Sequence, residues 1–296
     1  MDTEVDCVII GAGPAGLTAG TYLGRYRREV VIVDAGQSRA NWIPASHNCP
    51  GFPSGIHGRE LLSRMRQQAL GFGASLVEDR VTGLERSGRG FLVTSANRQW
   101  RARKVILATG CEDVFPDMDD LAGAIECGAI RLCPICDAYE AIDKTIAVYG
   151  PAESAASHAR FVRTFSRHVT FVPDKPFEDG DVVRALNDAG IEIAPPPNGL
   201  SFRDGRCEFA FEDGMRAFDV TYPTLGAVSR SELAATLGAR SDDEGSLIVS
   251  RHQMTTVDGL YAIGDVVSAL NQIAVATGHA AIAATAVHNA LDDNPA

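Results

Sequence analysis

Apolar residues follow two different periodicities along the chain, and segments of the two kinds alternate. Near-continuous apolar runs at 5–10 and 145–149 are typical of parallel strands that are buried on both faces of a sheet. Residues 58–69 instead carry apolar side chains at helical spacing, and the alanine-rich stretch from 271 to 289 predicts one long helix. Strands that alternate with helices in this way indicate an α/β chain with parallel sheets.

Weaker patterns add elements around these four segments. Shorter apolar or alternating runs predict strands at 29–33, 75–78, 91–95, 104–108, 168–172, 208–211, 219–222 and 246–250. Helical patterns predict further helices at 17–25, from the turn at 150–155 towards 166, and at 181–189. The order of these elements predicts two Rossmann-like units, which are three-layer dinucleotide-binding domains.

The first strand leads directly into a glycine-rich turn. The turn consists of Gly11, Ala12, Gly13, Pro14, Ala15 and Gly16. Gly11 allows the tight bend, Gly13 lets a pyrophosphate approach the backbone, and Gly16 lets the helix pack closely on the strand. Asp34 ends the next strand and can accept hydrogen bonds from an adenosine ribose. Strand, turn, helix and acid together indicate a dinucleotide site, with a purely structural glycine turn as the alternative.

A second turn of this kind follows the strand at 145–149, but its sequence is degenerate. Ala152 stands where a second glycine would admit a pyrophosphate, and Pro151 removes an amide donor. After the next strand the segment 173–176 carries one base, Lys175, which by itself would bind a ribose phosphate weakly. Both a structural and a functional interpretation of this turn stay open.

Composition and charge narrow the functional classes. A net charge of -11 and a pI near 5.1 argue against nucleic acid and against an anionic membrane surface as partners. No apolar run reaches the roughly 18 residues that a membrane span needs, and the acidic N-terminus does not resemble a signal peptide. Seven cysteines, an odd number scattered along the chain, do not suggest a secreted disulfide framework. We therefore expect a protein of the reducing cytoplasm.

Two of the cysteines, Cys133 and Cys136, are separated by two residues and followed directly by Asp137. Such a pair can close a small disulfide ring or open to a dithiol, and a helix that begins here would favour a thiolate. The same spacing can bind zinc, but a structural zinc site usually needs a second Cys/His pair, and the sequence has none at comparable spacing. Two buried cysteines that never react are the third interpretation.

Three further short motifs carry little information singly. The irregular stretch 36–58 contains His-Asn-Cys-Pro-Gly-Phe-Pro at 47–53, and a predicted strand ends in Ala-Thr-Gly at 108–110. Tyr-Ala-Ile-Gly-Asp at 261–265 places an acid where it can meet a ribityl hydroxyl. Together with the glycine turn and the cysteine pair, in this order, these motifs resemble the low-molecular-weight thioredoxin reductase family of flavoproteins over essentially the whole chain.

The resemblance implies a division into domains and a set of cofactor-binding residues. An FAD-binding domain would comprise residues 1–112 and 245–296, and an NAD(P)H-type domain at 113–244, inserted between them, would carry the cysteine pair. A homodimer is also implied. Besides the glycine turn and Asp34, the residues expected along the FAD are Asn48, Thr109, Gly110, Gly264, Asp265, Gln272 and Ile273. Gln272 would begin the last helix, whose positive end could face the flavin.

The resemblance also assigns chemical roles. Cys136 would be the thiol nearest the flavin, Cys133 would exchange with the external substrate, and Asp137 would be the acid/base for the thiols. We therefore predict an enzyme, an FAD-dependent dithiol–disulfide oxidoreductase whose thiol substrate is a thioredoxin-like protein or a small dithiol. The alternatives are a dithiol oxidase that forms disulfides in a small molecule with oxygen as acceptor, and a non-enzymatic flavin and cysteine redox sensor.

The chain departs from this family mainly at the nicotinamide site. Family members that use NADPH carry a glycine turn and an arginine-rich cluster in the places that Ala152 and Lys175 occupy here. The resemblance thus supports FAD and the dithiol, and it makes NADP(H) doubtful as an efficient donor. Asn271 replaces an arginine that is usual before Gln272, and His279 replaces a small or acidic residue. For His279 a partly buried helix position is a sufficient explanation.

Overall fold

The computed structural model of the chain describes residues 3–178, 180–267 and 270–295. These residues separate into two compact units. The first unit consists of Met1–Asn41, His57–Glu112 and Val228–Ala296, and the second of Trp42–Ile56 and Asp113–Ala227.

The unit boundaries differ from the domain boundaries predicted from the sequence. Residues 228–244 belong to the first unit, because Ala234 is part of its buried core and Leu237 packs against that core. Residues 42–56 belong to the second unit, where the ring centroids of Trp42 and Phe115 are 5.4 Å apart. Apolar packing of side chains, rather than the order of motifs, decides to which unit a segment belongs.

The N-terminal elements alternate between strand and helix before ending in a meander. They are β1 (Thr3–Ile10), α1 (Pro14–Arg25), β2 (Val30–Asp34), α2 (Gly58–Gly71), β3 (Ser75–Glu78), β4 (Val81–Ser87), β5 (Gly90–Ser95) and β6 (Gln99–Leu107). A 3₁₀ turn lies at Arg39–Trp42. The predicted strands and helices of this region are present, and β4 is a strand that the sequence pattern did not indicate.

The middle of the chain forms the second Rossmann-like unit and a small antiparallel sheet. Its elements are β7 (Cys111–Asp113), α3 (Leu121–Glu126), α4 (Pro134–Asp137), β8 (Ile146–Gly150), α5 (Ala152–Val162), β9 (Val169–Pro173), α6 (Gly180–Asp188), β10 (Glu192–Ile193), β11 (Gly199–Arg203), β12 (Arg206–Phe211), β13 (Gly214–Phe218) and β14 (Val220–Pro223). The remaining elements are β15 (Ala227–Ser229), α7 (Glu232–Ala235), β16 (Leu260–Ala262) and α8 (Ile273–Asn289).

The main sheet of the first unit has the order β3-β2-β1-β6-β5-β4. β6 is long enough to pair with two strands on one side. Its first half pairs antiparallel with β5, and its second half pairs parallel with β16. β1, β2, β6 and β16 therefore run in the same direction and end at the same edge of the sheet. Ligands of open parallel sheets bind at this edge.

The second unit is built on a four-stranded parallel sheet with the order β10-β9-β8-β14. β8 and β9 are almost entirely apolar and buried, as expected of central parallel strands. α5 packs its alanines, Ala155 and Ala159, into the core below this sheet. The antiparallel sheet β11-β12-β13 adds a separate cluster around Phe209 and Phe218. This unit carries the cysteine pair.

The predicted strand at 246–250 is wrong. Only an isolated bridge between Ser241 and Leu247 forms here. The Leu247 amide donates to Val266 O and the Ile248 amide to Arg240 O, so the backbone bonds to a turn and a loop rather than to a strand. Gly245 has φ +82°, which bends the chain just before the segment. An apolar run therefore marked burial here, not a sheet position.

The longest helix of the described part of the chain is α8, with 17 residues. None of the helices in residues 3–178, 180–267 and 270–295 is both long and apolar enough to span a lipid bilayer.

Candidate active site

The glycine turn after β1 is shaped by two close approaches of the backbone. A Cβ on Gly16 would lie 1.9 Å from Gly11 O, and a Cβ on Gly11 would lie 2.4 Å from Ala108 O. A Cβ on Gly13 would meet, among the described residues, only the Ser38 hydroxyl at 3.3 Å. Gly11 and Gly16 are therefore required by close backbone packing of the protein itself, whereas Gly13 is approached only by the end of the Ser38 side chain.

The shared sheet edge brings most of the predicted cofactor residues together. The glycine turn follows β1, Asp34 ends β2, Thr109 and Gly110 follow β6, and Gly264 and Asp265 follow β16. A Cβ on Gly264 would lie 3.0 Å from Ala15 Cβ, so the end of β16 packs directly on the start of α1. Parallel pairing of the four strands accounts for this convergence.

Asp34 is held by two partners. Its Oδ1 accepts a hydrogen bond of 3.2 Å from the Ala12 amide, and its Oδ2 lies 3.2 Å from Nη2 of Arg66. The carboxylate thus bridges the glycine turn and α2, and a ribose hydroxyl would share it with these donors. Arg66 could not be anticipated as a partner of Asp34, because the apolar stripe of α2 indicates only the buried face of that helix.

A polar cluster surrounds Asp265. Its Oδ2 lies 3.5 Å from Nη1 of Arg39 and 4.0 Å from Sγ of Cys111. Asn271 Nδ2 lies 3.7 Å from the same sulfur, and Asn271 Oδ1 is buried without a hydrogen-bond partner in the described residues. Gln272 caps the N-terminus of α8 through its extended backbone. The cluster combines an acid, an amide and a helix N-terminus at the sheet edge.

Asn48 does not belong to this convergence of strand ends. It lies in the segment Trp42–Ile56 of the second unit, where its Oδ1 accepts a hydrogen bond from the Ser46 hydroxyl. Thr109 and Gly110 are tied to Arg230 instead: the Thr109 hydroxyl donates to Arg230 O, and the Arg230 amide donates to Gly110 O. The position of Arg230 was not anticipated from the sequence.

The cysteine pair is closed as a disulfide. The Cα atoms of Cys133 and Cys136 are 5.3 Å apart. Cys133 is extended and caps α4, whose first residue is Pro134, a residue favoured at that position because its missing amide proton has no partner there. A helix does begin here, but α4 is only four residues long, so its dipole can add little to thiolate stability. No metal-binding group of three His, Cys, Asp or Glu side chains occurs in the described residues.

Asp137 has a strongly perturbed environment. Burial is the main cause that raises the pKa of its carboxyl to about 6, and the negative charge of Glu140 raises it further. Arg131, the hydrogen bond from Tyr222, and His47 lower this pKa and offset part of the rise. The Tyr222 hydroxyl donates to Oδ1 at 2.9 Å. Arg131 Nη1 donates to the backbone oxygen of Asp137 at 2.6 Å. A carboxyl with a pKa near neutrality can both accept and return a proton.

Apolar side chains flank the disulfide. Ile135, Tyr139 and Ile142 are 54%, 72% and 46% exposed. Ile135 lies in α4, Tyr139 begins a 3₁₀ turn at Tyr139–Ala141, and Ile142 directly follows this turn. The rim of the redox pair is therefore unusually apolar for a solvent-facing surface.

The second glycine turn is packed against the protein. A Cβ on Gly150 would lie 2.7 Å from the Thr224 hydroxyl, and the Ser154 hydroxyl donates to Thr224 O at 3.1 Å. Pro151 caps α5. Asp174 follows β9, and its Oδ1 is buried without a hydrogen-bond partner among the described residues. The end of β9 thus presents an acid where a phosphate-binding site would present bases.

Residues 5–280 match the family model described as pyridine nucleotide-disulphide oxidoreductase. The chain belongs to this family. It is therefore an FAD-dependent disulfide oxidoreductase of the thioredoxin reductase type, with the two Rossmann-like domains that such structures have.

Similar members of the family are known from bacteria. A thioredoxin reductase from Streptomyces clavuligerus is 32% identical, with 90% of this chain and 87% of that protein aligned. One from Peptoclostridium acidaminophilum is 28% identical, with 99% of each aligned. Among solved structures, HlmI superposes with a TM-score of 0.90 at 27% identity, covering 97% of this chain and 92% of HlmI. Thioredoxin reductase from Streptococcus pyogenes has a TM-score of 0.87 at 25% identity, covering 98% of both chains.

FAD is the cofactor of this oxidoreductase family, and the first unit fits it. Gly13 faces only the end of the Ser38 side chain, which can rotate to admit a pyrophosphate beside the first turn of α1. The unpaired buried oxygen of Asn271 and the N-terminus of α8 add an acceptor and a positive helix end at the same sheet edge. Asp34 and Asp265 supply the carboxylates that ribose and ribityl hydroxyls require.

Proposed function

We propose that this oxidoreductase exchanges two electrons with a thiol substrate through Cys133 and Cys136, with Asp137 as the acid/base. The observation that carries the proposal is the disulfide of these two residues directly beside a buried carboxyl whose pKa is raised to about 6. Such a carboxyl can move protons for thiols at neutral pH. The expected residues along the FAD, including Asn48 and Ile273, and a homodimer in the cytoplasm, stay predictions.

The chemistry balances as a thiol–disulfide exchange. A substrate thiolate attacks the sulfur of Cys133, and the bond to Cys136 breaks with Cys136 as the leaving thiolate. The second substrate thiol then displaces Cys133, so the substrate becomes a disulfide and the pair is left as a Cys133 thiol and a Cys136 thiolate. Asp137 takes one of the two released protons, and the other goes to the Cys133 thiolate. FAD, when bound, supplies the two-electron partner that reoxidises or reduces the pair.

A turnover experiment tests the proposal. The purified flavoprotein is mixed anaerobically with dithiothreitol and, separately, its chemically reduced form is mixed with oxidised thioredoxin and small disulfides. Rapid bleaching of the flavin by the dithiol, followed by repeated turnover once an acceptor is added, is the expected result. If the redox state of the cysteines changes but no thiol or disulfide is turned over, the result would instead support the non-enzymatic redox sensor.

A dithiol oxidase is the second candidate, and one feature favours it. The apolar rim of Ile135, Tyr139 and Ile142 suits a small apolar dithiol, since such a substrate buries its carbon skeleton on it. An oxidase needs no nicotinamide donor, which agrees with the acid at the end of β9. Oxygen uptake that equals the amount of dithiol oxidised distinguishes this candidate from a reductase.

Replacing Asp137 with asparagine is expected to slow thiol exchange by roughly 10²-fold or more, the usual size of a general acid–base contribution. Asp143→Asn is a matched control, because Asp143 is exposed, lies in the same stretch and has a φ of +60° that asparagine tolerates. Stopped-flow mixing with dithiothreitol measures both. Equal rates of thiol exchange in the two variants would contradict an acid/base role and would show that Asp137 only ends the short helix α4.

The same variant should change the pH dependence of stability. Because the native pKa is raised from 3.8 to about 6, the folded state holds this proton more tightly, and stability is lost as the pH rises through that range. Asp137→Asn removes this loss, so above pH 6 its free energy of unfolding should exceed that of the wild type by on the order of 1–3 kcal/mol. Denaturant unfolding between pH 4 and 8 measures the difference.

A further inference from the structure

Tyr222 is the largest fully buried side chain among the described residues, with an exposed fraction of 0%. It lies in β14, which pairs with β8 in the parallel sheet of the second unit. Its hydroxyl is the one polar group of the side chain, and a buried hydroxyl needs a hydrogen-bond partner. That partner is Oδ1 of Asp137, at 2.9 Å. A side chain of the sheet core is thus hydrogen-bonded through its terminal hydroxyl to the proposed acid/base.

The direction of this hydrogen bond follows from the chemistry of the two groups. Burial holds the pKa of the Tyr222 phenol far above its usual range, so the phenol keeps its proton throughout the working pH range. The phenol is therefore a permanent donor, and the bond stabilises the ionised form of Asp137. The bond thus opposes the effect of burial on the carboxyl.

The other charged groups around Asp137 cannot replace this donor. Arg131 gives its hydrogen bond to the backbone oxygen of Asp137, and its charge and that of His47 favour the ionised carboxyl only through space. Glu140, one turn further along, acts in the opposite direction. The Tyr222 hydroxyl donates directly to the Asp137 carboxylate and fixes one of its oxygens.

We propose that Tyr222 is a positioning residue for the reaction: its hydroxyl fixes Oδ1 of Asp137, which leaves the second carboxylate oxygen to exchange protons with the thiols of Cys133 and Cys136. The inference rests on the proposed function, because it assigns Tyr222 a role through Asp137. The sheet then sets the orientation of the acid/base, and a side chain 85 residues away in sequence controls its protonation.

The test compares Tyr222→Phe with the wild type over pH. Dithiol oxidation requires ionised Asp137, so the wild-type rate should rise with a midpoint near pH 6. Loss of the donated hydrogen bond should move this midpoint upward by about one pH unit, which lowers the rate roughly tenfold on the acidic side and little above pH 8. Tyr149→Phe is the matched control, since Tyr149 lies in β8 of the same sheet and its ring packs on Phe209 at 5.5 Å.

A second measurement does not depend on turnover. Infrared titration detects the protonated carboxyl of Asp137 as the band that is missing in Asp137→Asn, and this band should persist to higher pH in Tyr222→Phe. Fluorotyrosine placed at position 222 keeps the side chain, so folding is preserved, and its more acidic phenol should move both midpoints downward.

The outcomes separate the two proposals. Midpoints that stay unchanged in Tyr222→Phe and with fluorotyrosine would overturn the role of Tyr222, even if the protein turns over dithiols normally. Shifted infrared midpoints in a protein that turns over no dithiol or disulfide would keep the role of Tyr222 towards the carboxyl and overturn the proposed function. Equal shifts in Tyr149→Phe would reduce the effect to a general loosening of the sheet and also overturn the role.

Discussion

Replacing either Cys133 or Cys136 with serine is expected to abolish steady turnover of dithiols, because the exchange needs both sulfurs of the pair. The two variants should nevertheless differ. Cys136→Ser keeps the sulfur that is expected to meet the substrate, and without its neighbour the resulting mixed disulfide cannot be resolved. It should therefore accumulate mixed disulfides with disulfide substrates, because the Cys133 thiolate attacks the substrate disulfide and frees its second sulfur as a thiol. Mass spectrometry of the intact protein detects these adducts.

Cys133→Ser should behave in the opposite way. It keeps the sulfur expected nearest the flavin, so a free Cys136 thiolate should give a long-wavelength absorption band and few adducts. Cys127→Ser is the control, because Cys127 is an exposed free thiol of the same unit outside the pair, and its loss should leave turnover unchanged. Adducts on Cys133→Ser with the absorption band on Cys136→Ser would show that the two roles are exchanged.

Reduction of the flavin by NADPH is expected to be slower by orders of magnitude than reduction by a dithiol. The turn at Gly150 contains Pro151, which donates no amide proton, and Ala152, whose Cβ stands where a pyrophosphate would pass. The Asp174 carboxylate at the end of β9 would repel a 2′-phosphate. Each charge-assisted contact that is missing costs about 1.5–3 kcal/mol, roughly a factor of ten to a hundred in affinity.

Two arginines of α5, Arg160 and Arg163, do not supply the missing positive charge at this turn. Arg160 lies in the last turn of α5 and Arg163 caps its C-terminus, so both stand at the end of the helix opposite to the turn at Gly150. Arg163 is also engaged, with Nε donating to Ala189 O at 3.1 Å. Over 11 residues an α-helix rises by about 16 Å, beyond the reach of an arginine side chain.

Stopped-flow absorbance under anaerobic conditions measures the two reductions side by side. Full reduction within seconds at micromolar NADPH would contradict the prediction. Asp174→Asn is a useful companion variant, because it removes the repelling charge and keeps the shape of the side chain. If the acid excludes the nucleotide, this variant should bind NADPH more tightly than the wild type, while its reduction by dithiothreitol stays unchanged.

The residues that approach one another through parallel strands could be anticipated from the sequence. Gly11 and Asp34 follow or end strands whose apolar runs are unambiguous, and the carboxyl ends of parallel strands share an edge. Asp265 is expected along the FAD from the family resemblance, and it follows β16, which ends at this same edge. The apolar pattern failed at 246–250, where it marks a loop whose backbone amides bond to Val266 and Arg240.

The sequence by itself determined the two Rossmann-like units and the glycine turn, because each depends on local periodicity or on spacing within a few residues. It also singled out the cysteine pair, but the spacing alone left a disulfide, a zinc site and unreactive cysteines open. Only the tertiary structure decided which side chains surround these motifs. Arg66 beside Asp34 and Tyr222 beside Asp137 are separated from their partners by 32 and 85 residues. Strand pairing and core packing bring such residues together. Neither produces a sequence pattern that would mark Arg66 or Tyr222 as the partner of a distant acid.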